Sequence, residues 1–216
     1  MLVKNFSEFD FLEKYNVYRN NLRILNAGSS QVSYGENCVN VDIQNKPNVD
    51  VVCDIRSLPA SLGKFDVVMC NAVLQYCEQP STVARQFFEV LEEGGYLYVD
   101  APWVQPYCPD TADKFRFSED GLKAIFSDFE IIESGATIRP GSAFAFLGVK
   151  IAEELTSNRY MNFMAARIAA VLLFPFRWIR TSDENKTAGA FYLVCRKPLA
   201  GGKRRREPGP PDARTK

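Results

Sequence analysis

Apolar residues in this chain come in short runs that alternate with stretches patterned for helices or turns. Residues 6–18 place Phe9, Leu12, Tyr15 and Tyr18 near helical spacing, which predicts an amphipathic N-terminal helix. Three strands should follow. The first, through Ile24 and Leu25, runs directly into a small-residue turn at Gly28, Ser29 and Ser30. The second, 38–41, ends on Asp42, and the third, 49–53, ends on Asp54. Residues 29–36 are poor in apolar side chains, so a crossover helix there must be brief or irregular. Pro59 marks a helix start within 55–62. Residues 65–71 form a compact apolar run suited to a central strand buried on both faces.

The second half continues the alternation. Pro80, Ser81 and Thr82 offer an N-cap, and Val83, Phe87, Val90 and Leu91 lay an apolar stripe along the next helix. Gly94 and Gly95 are placed to end it with a left-handed residue. Residues 96–100 read as a fifth strand stopped by Pro102, Ser118 as a cap before a helix facing inward through Leu122, Ile125 and Phe126, and 129–132 and 190–196 as the last two strands. Strands alternating with helices predict an α/β fold, a doubly wound, mostly parallel seven-stranded sheet with helices on both faces. One domain over residues 1–198 is expected, with a helical insertion at 139–187 before the last strand and a disordered basic tail at 199–216.

That insertion contains 160–179, rich in Phe, Leu, Ala and Met. Arg167 and Pro175 interrupt it, which argues against a membrane-spanning helix. Two readings stay open: a helix packed over the sheet or the cleft, and a peripheral membrane contact through 160–180, where Arg177 and Arg180 flank Trp178. The tail carries six basic residues against two acids.

Composition narrows the chemistry. Formal net charge zero over 216 residues removes any whole-protein argument for nucleic acid as partner, and the run Lys203 to Arg206 in the tail leaves open contact with anionic lipid or nucleic acid beside a plain solvated tail. The chain has no histidine, which excludes a Ser-His-Asp triad, a Cys-His pair and any His-ligated metal. Its six cysteines form no Cys-x-x-Cys pair, so buried free thiols are expected and no metal. The N-terminus does not read as a signal peptide, and a cytoplasmic location is expected.

A strand stopping at Gly28 lets the backbone approach a ligand, and a carboxylate at the tip of the next strand can take both hydroxyls of a ribose. Gly28 and Asp42 together describe a crevice for an adenosine-containing cofactor. There is no second or third glycine in register for a nicotinamide dinucleotide. At this point the order of blocks resembles the class I S-adenosylmethionine-dependent methyltransferases, over roughly residues 20–135 plus the final strand. The blocks are 24–29 (ILNAGS), Val41-Asp42, 53–59 (CDIRSLP), 65–74 (FDVVMCNAVL) and 91–97 (LEEGGYL). The resemblance implies S-adenosylmethionine as cofactor. Asn26, Ala27 and Gly28 would lie against its methionine part, Asp42 with Ile43 would hold the ribose, Asp54 with Ile55 the adenine, and Asn71 and Ala72 would complete the site. Methyl transfer by in-line displacement needs no histidine, since the cofactor carries the reactive group.

The chain departs from the family pattern at three places. Asn26 stands for an acid, Ser30 for a second glycine, and Gln75-Tyr76 where many relatives have Glu-His. Tyr76 and Asp100 are the candidate catalytic residues, Tyr76 by contact with the acceptor or else only a cap on the cleft, and Asp100 a base if burial raises its pKa or else an ordinary strand-end carboxylate. The block 113–118 (DKFRFS) resembles a segment of methyltransferases of polysaccharide or sugar biosynthesis, which implies a small-molecule or glycan acceptor held by Tyr107, Asp113 and Arg116. A surface ion pair is the plain alternative for Asp113 and Arg116. The alternative for the whole chain is a degenerate member serving as a binding or scaffold subunit, with a membrane-surface association also open.

Overall fold

The computed structural model describes residues 2–108 and 112–200. The tail expected at 199–216 lies outside the described residues from residue 201 on. Seven strands form one sheet: β1 Ile24–Ala27, β2 Cys38–Asp42, β3 Val51–Val52, β4 Phe65–Asn71, β5 Leu91–Pro102, β6 Glu130–Ile138 and β7 Ala190–Arg196. Their spatial order is β3-β2-β1-β4-β5-β7-β6. Strands β1 to β5 pair in parallel, and β7 inserts antiparallel between β5 and β6. The chain reverses direction spatially between β1 and β4, and ligands bind at such a switch point, outside the carboxyl ends of the strands.

Both faces of the sheet are covered. Helix α1 (Glu8–Lys14) buries Phe11 and Leu12 against Met69 and Tyr98. A capping box closes its start, with Ser7 and Asp10 satisfying each other's backbone amides. On the other face α2 (Pro80–Val90) and α3 (Glu119–Ile125) bury Phe87 and Leu122 against Val68, Leu97 and Leu193. Ser118 caps α3 by accepting from the Gly121 amide, as its position predicts.

Several boundaries differ from the sequence expectation. Helix α1 ends at Lys14 rather than near Tyr18, and β3 is two residues, not five, because it sits at the sheet edge with one neighbour. The 55–62 segment is a single 3-10 turn, Ala60–Leu62. Pro80 is the first residue of α2 and Gln79 its cap, with no side-chain cap bond from Ser81 or Thr82. Gly94 and Gly95 do not end α2. The helix stops at Val90 and Leu91 is already paired with Phe65, so the glycines sit in an irregular stretch of β5 before pairing resumes at Tyr96. Strand β6 runs to Ile138, well past Ile132, held by antiparallel pairing to β7.

The insertion is a helical hairpin: α4 (Pro140–Ala152), α5 (Arg159–Leu173) and a 3-10 segment, Phe174–Trp178. Helix α5 packs on α4 and on the 3-10 segment, and none of its residues is buried. It therefore does not lie over the sheet or the cleft. Gly141 permits the close approach that closes the hairpin, since a Cβ there would lie 2.0 Å from the Phe176 carbonyl oxygen. Among the described residues no helix is long and apolar enough to cross a membrane.

Candidate cofactor cleft

The turn after β1 is built by hydrogen bonds to β2. The amides of Gly28 and Ser29 both donate to the Val41 carbonyl, at 2.8 and 3.0 Å. Gly28 has φ 77, and a Cβ there would lie 2.4 Å from Cγ2 of Val73. Only a glycine lets the chain pass under that valine. Two residues on, Ser30 has φ 50, a left-handed conformation that favours glycine. Its amide donates to Asp42 Oδ2 at 2.9 Å, and the Gln44 amide donates to Asp42 Oδ1 at 2.9 Å. The carboxylate of Asp42 is thus clamped at the tip of β2 with lone pairs left for a diol.

The opposite wall comes from the end of β4. Ala72 adopts φ 54, fixed by its own amide donating to the Asp100 carbonyl and by Gln75 Nε2 donating to the Ala72 carbonyl at 2.8 Å. Between these walls lies a cleft of about 450 Å³, within the usual span of small-molecule sites. Of the residues expected at the cofactor, Gly28, Asp42, Ile43, Asp54, Ile55, Asn71 and Ala72 line it, and so does Tyr76. Ile43 is 67 % exposed, an apolar side chain offered beside the clamped acid.

Asp54 is less free than its position in the sequence suggests. Arg56 grips it through Nε and Nη2, the latter 2.7 Å from Oδ2, and its amide donates to Oδ1. The hydrogen bond from Arg56 holds the Asp54 carboxyl below the usual range against the opposing effect of burial. Most of its acceptor capacity is therefore spent within the chain.

Other expected site residues stand elsewhere. Ala27 is fully buried beneath the turn. Asn26 does not face the cleft: its Nδ2 donates to the Val32 carbonyl at 2.8 Å and to Asn40 Oδ1 at 3.1 Å. With no helix between β1 and β2, the loop needs such a partner for its carbonyl, and Asn supplies the donor that an acid could not. Asp100 is 4 % exposed, and its side chain is on the α1 face near Lys4 and Glu8, away from the cleft lining. Burial pushes its carboxyl up to about 6 despite the pull of Lys4. Tyr107 is exposed and does not line the cleft. Asp113 and Arg116 turn toward each other, with Arg116 Nη2 2.6 Å from Asp113 Oδ2 and also donating to the Gln105 and Pro106 carbonyls. The Cys108 amide completes the latch on Asp113. The pair ties down a loop instead of reaching an acceptor.

One of the two residues between them, Lys114, does reach the cleft. Lys114 Nζ donates to the Tyr76 carbonyl at 3.2 Å and sits 3.9 Å from Glu78. Lys46 Nζ bonds the Ser30 hydroxyl at 3.0 Å on the other side. Lys46, Arg56 and Lys114 thus face Asp42, Asp54 and Glu78 across one cleft. Sequence reasoning missed the three cations, which lie on irregular segments without a periodic signal. Cys53 and Cys77 also line the cleft, and burial raises both thiols, Cys77 to about 11, so they stand protonated at neutral pH.

A methyltransferase domain family matches residues 23–99, the span that holds both cleft walls. No curated protein matches the chain. Among solved structures it is similar to a S-adenosylmethionine-dependent methyltransferase from Clostridium acetobutylicum, at TM-score 0.53 and 12 % identity over 88 % of this chain and 90 % of that one. It is similar to coclaurine N-methyltransferase bound to N-methylheliamine and SAH, at TM-score 0.50 and 11 % identity over 90 % and 75 %. It is also similar to the cyclase SpnF, at TM-score 0.52 and 18 % identity over 82 % and 76 %. Likeness at these identities speaks for the fold, and one fold hosts more than one chemistry. Residues 23–99 match a methyltransferase domain family, and the chain has the fold of the class I S-adenosylmethionine-dependent methyltransferases.

Proposed function

We propose that the chain binds S-adenosylmethionine in this cleft and methylates a hydroxyl of a small molecule or sugar. One observation carries the reading: the backbone at Gly28, squeezed under Val73, and the clamped Asp42 carboxylate line the same cleft. Asp42 would hold the ribose hydroxyls, Ile43 would cover one adenine face, and the segment from Asn71 to Val73 would wall the sulfur end. When bound, the cofactor supplies an activated methyl group. The chain's part would then be positioning: Asn71, Ala72 and Val73 at the end of β4 would wall the reacting end of the cofactor, and Tyr76 would orient the acceptor. Three carboxylates facing three cations leave the cleft without a net charge, which suits a neutral polyol better than nucleic acid.

The test is formation of S-adenosylhomocysteine in the presence of a panel of sugars, sugar nucleotides and small alcohols, with the product located by mass spectrometry. Methyl transfer to oxygen supports the reading, and product methylated on nitrogen or on nucleic acid overturns the acceptor class. Asn26 favours a second reading, a binding or scaffold subunit. The position that would face the cofactor ammonium with an acid is here turned inward, so weak or absent cofactor binding is its signature.

A further inference from the structure

The hairpin of α4, α5 and the 3-10 segment keeps a large apolar surface uncovered. Val171 and Leu172 are 74 % and 65 % exposed, and Phe163, Phe174 and Trp178 stand exposed beside them. Single exposed apolar residues are ordinary, but a continuous set on one projecting element is not. The insertion around this set is net basic, seven cations against four acids over residues 139–187, with Glu153 and Glu154 lining a groove beside Arg159 and Arg167 and Glu184 3.8 Å from Arg180. From residue 157 to 182 the chain has four arginines (Arg159, Arg167, Arg177 and Arg180) and no acid. The arginines are interleaved with the aromatic rings, Arg167 over Phe163 at 4.9 Å and Arg177 over Phe174 and Trp178. Arginine and tryptophan among exposed aliphatic residues is the chemistry of a surface lying at the headgroup level of a bilayer.

We infer that this hairpin seats the protein on an anionic lipid surface, with Trp178 and the exposed face of α5 entering the headgroup region. The topology gives the contact a direction. Strand β6 runs parallel to β5 and ends at Ile138, and β7 begins at Ala190, so the hairpin between them leaves the same edge of the sheet as the cofactor cleft. Seating the hairpin turns that edge, with Tyr76 and the cleft mouth, toward the membrane. If the proposed methyl transfer holds, its acceptors would be met at a lipid surface. This inference does not rest on methyl transfer, because lipid binding is read without cofactor.

The test uses the full chain and vesicles of phosphatidylcholine alone or with about a third phosphatidylglycerol. Replacing Trp103 by Phe leaves Trp178 as the sole tryptophan and a reporter of the hairpin. The account predicts flotation and a blue-shifted Trp178 emission with anionic vesicles at low salt, and neither with the neutral ones. Arg167→Ala and Arg177→Ala should each lower binding about fivefold, the effect of one cation at such a surface. The exposed-site pair Val171→Glu/Leu172→Glu should abolish binding while thermal melting stays as in the parent chain. A chain that stays soluble with every vesicle, or floats equally on neutral and anionic ones, overturns the inference. So does a sedimenting dimer in the parent that the Val171→Glu/Leu172→Glu variant converts to monomer, since a second copy would then cover the hairpin.

Discussion

Replacing Gly28 by alanine perturbs the point on which the cofactor turn depends. The new Cβ would meet Val73 Cγ2 at 2.4 Å and Cγ1 at 2.6 Å, and the residue would be held at φ 77. A left-handed non-glycine residue costs about 1–2 kcal/mol, and an overpacked methyl about 1–3 kcal/mol. Gly28→Ala should therefore destabilise the protein by about 2–5 kcal/mol. Val73→Ala removes two methyl groups from a partly buried side chain and should cost about 1–2 kcal/mol. The double variant removes the two closest contacts, leaving the Cβ of residue 73 at 3.0 Å and the backbone strain, so it should be more stable than the sum of the single effects by about 1–3 kcal/mol. Urea unfolding of the four proteins measures this coupling. Additive effects, within about 0.5 kcal/mol, would refute the claim that Val73 lies over Gly28.

Two further substitutions test residues whose roles the structure revises. Asp100→Asn should change how stability depends on pH: burial raises the folded carboxyl to about 6 from 3.8, so the native state holds the proton more tightly than the unfolded chain. That contribution is fully present below about pH 3.8 and lost as pH rises through about 6, leaving the parent up to about 3 kcal/mol less stable at pH 8 than an uncharged isostere. Urea unfolding of both proteins from pH 4 to 8 should show the difference growing with pH, and parallel curves would contradict it. Arg116→Ala leaves the Asp113 carboxylate without its partner and should cost about 1.5–3 kcal/mol, with faster proteolysis near the Gln105–Cys108 loop it ties down. Stability unchanged in urea would return Asp113 and Arg116 to the class of surface ion pairs.

Much of the sheet was legible because its strands are bounded by chemistry that the sequence shows. Residues 65–71 and 190–196 are apolar runs between turn formers, and both strands have those limits. Asp42 was legible as a strand-end acid for the same reason, whereas Asp54 stands two residues past the end of β3. Element ends set by pairing were not: β6 extends to Ile138 because β7 lies beside it, and β5 begins at Leu91 because Phe65 does. Helix α4 falls inside the helical insertion expected at 139–187, but its bounds were not legible because its small apolar residues (Gly141, Ala143, Ala145) fall on several faces without a clear stripe. The DKFRFS block shows how alternation misleads. Its outer charges, Asp113 and Arg116, satisfy each other, and Lys114 between them is the one that reaches the cleft. Which charges pair with which depends on loop conformation, and no periodicity records that.

The central claim is that Asp42 holds the ribose of S-adenosylmethionine beside the Gly28 turn. Calorimetric titration of the parent chain and of Asp42→Ala with S-adenosylmethionine and S-adenosylhomocysteine tests it most directly. The account predicts binding to the parent that Asp42→Ala weakens by about 1.5–3 kcal/mol, the worth of hydrogen bonds to a charged acceptor. Equal affinity in both proteins would contradict the placement of the cofactor, and no binding to the parent up to millimolar concentration would contradict the enzymatic reading itself.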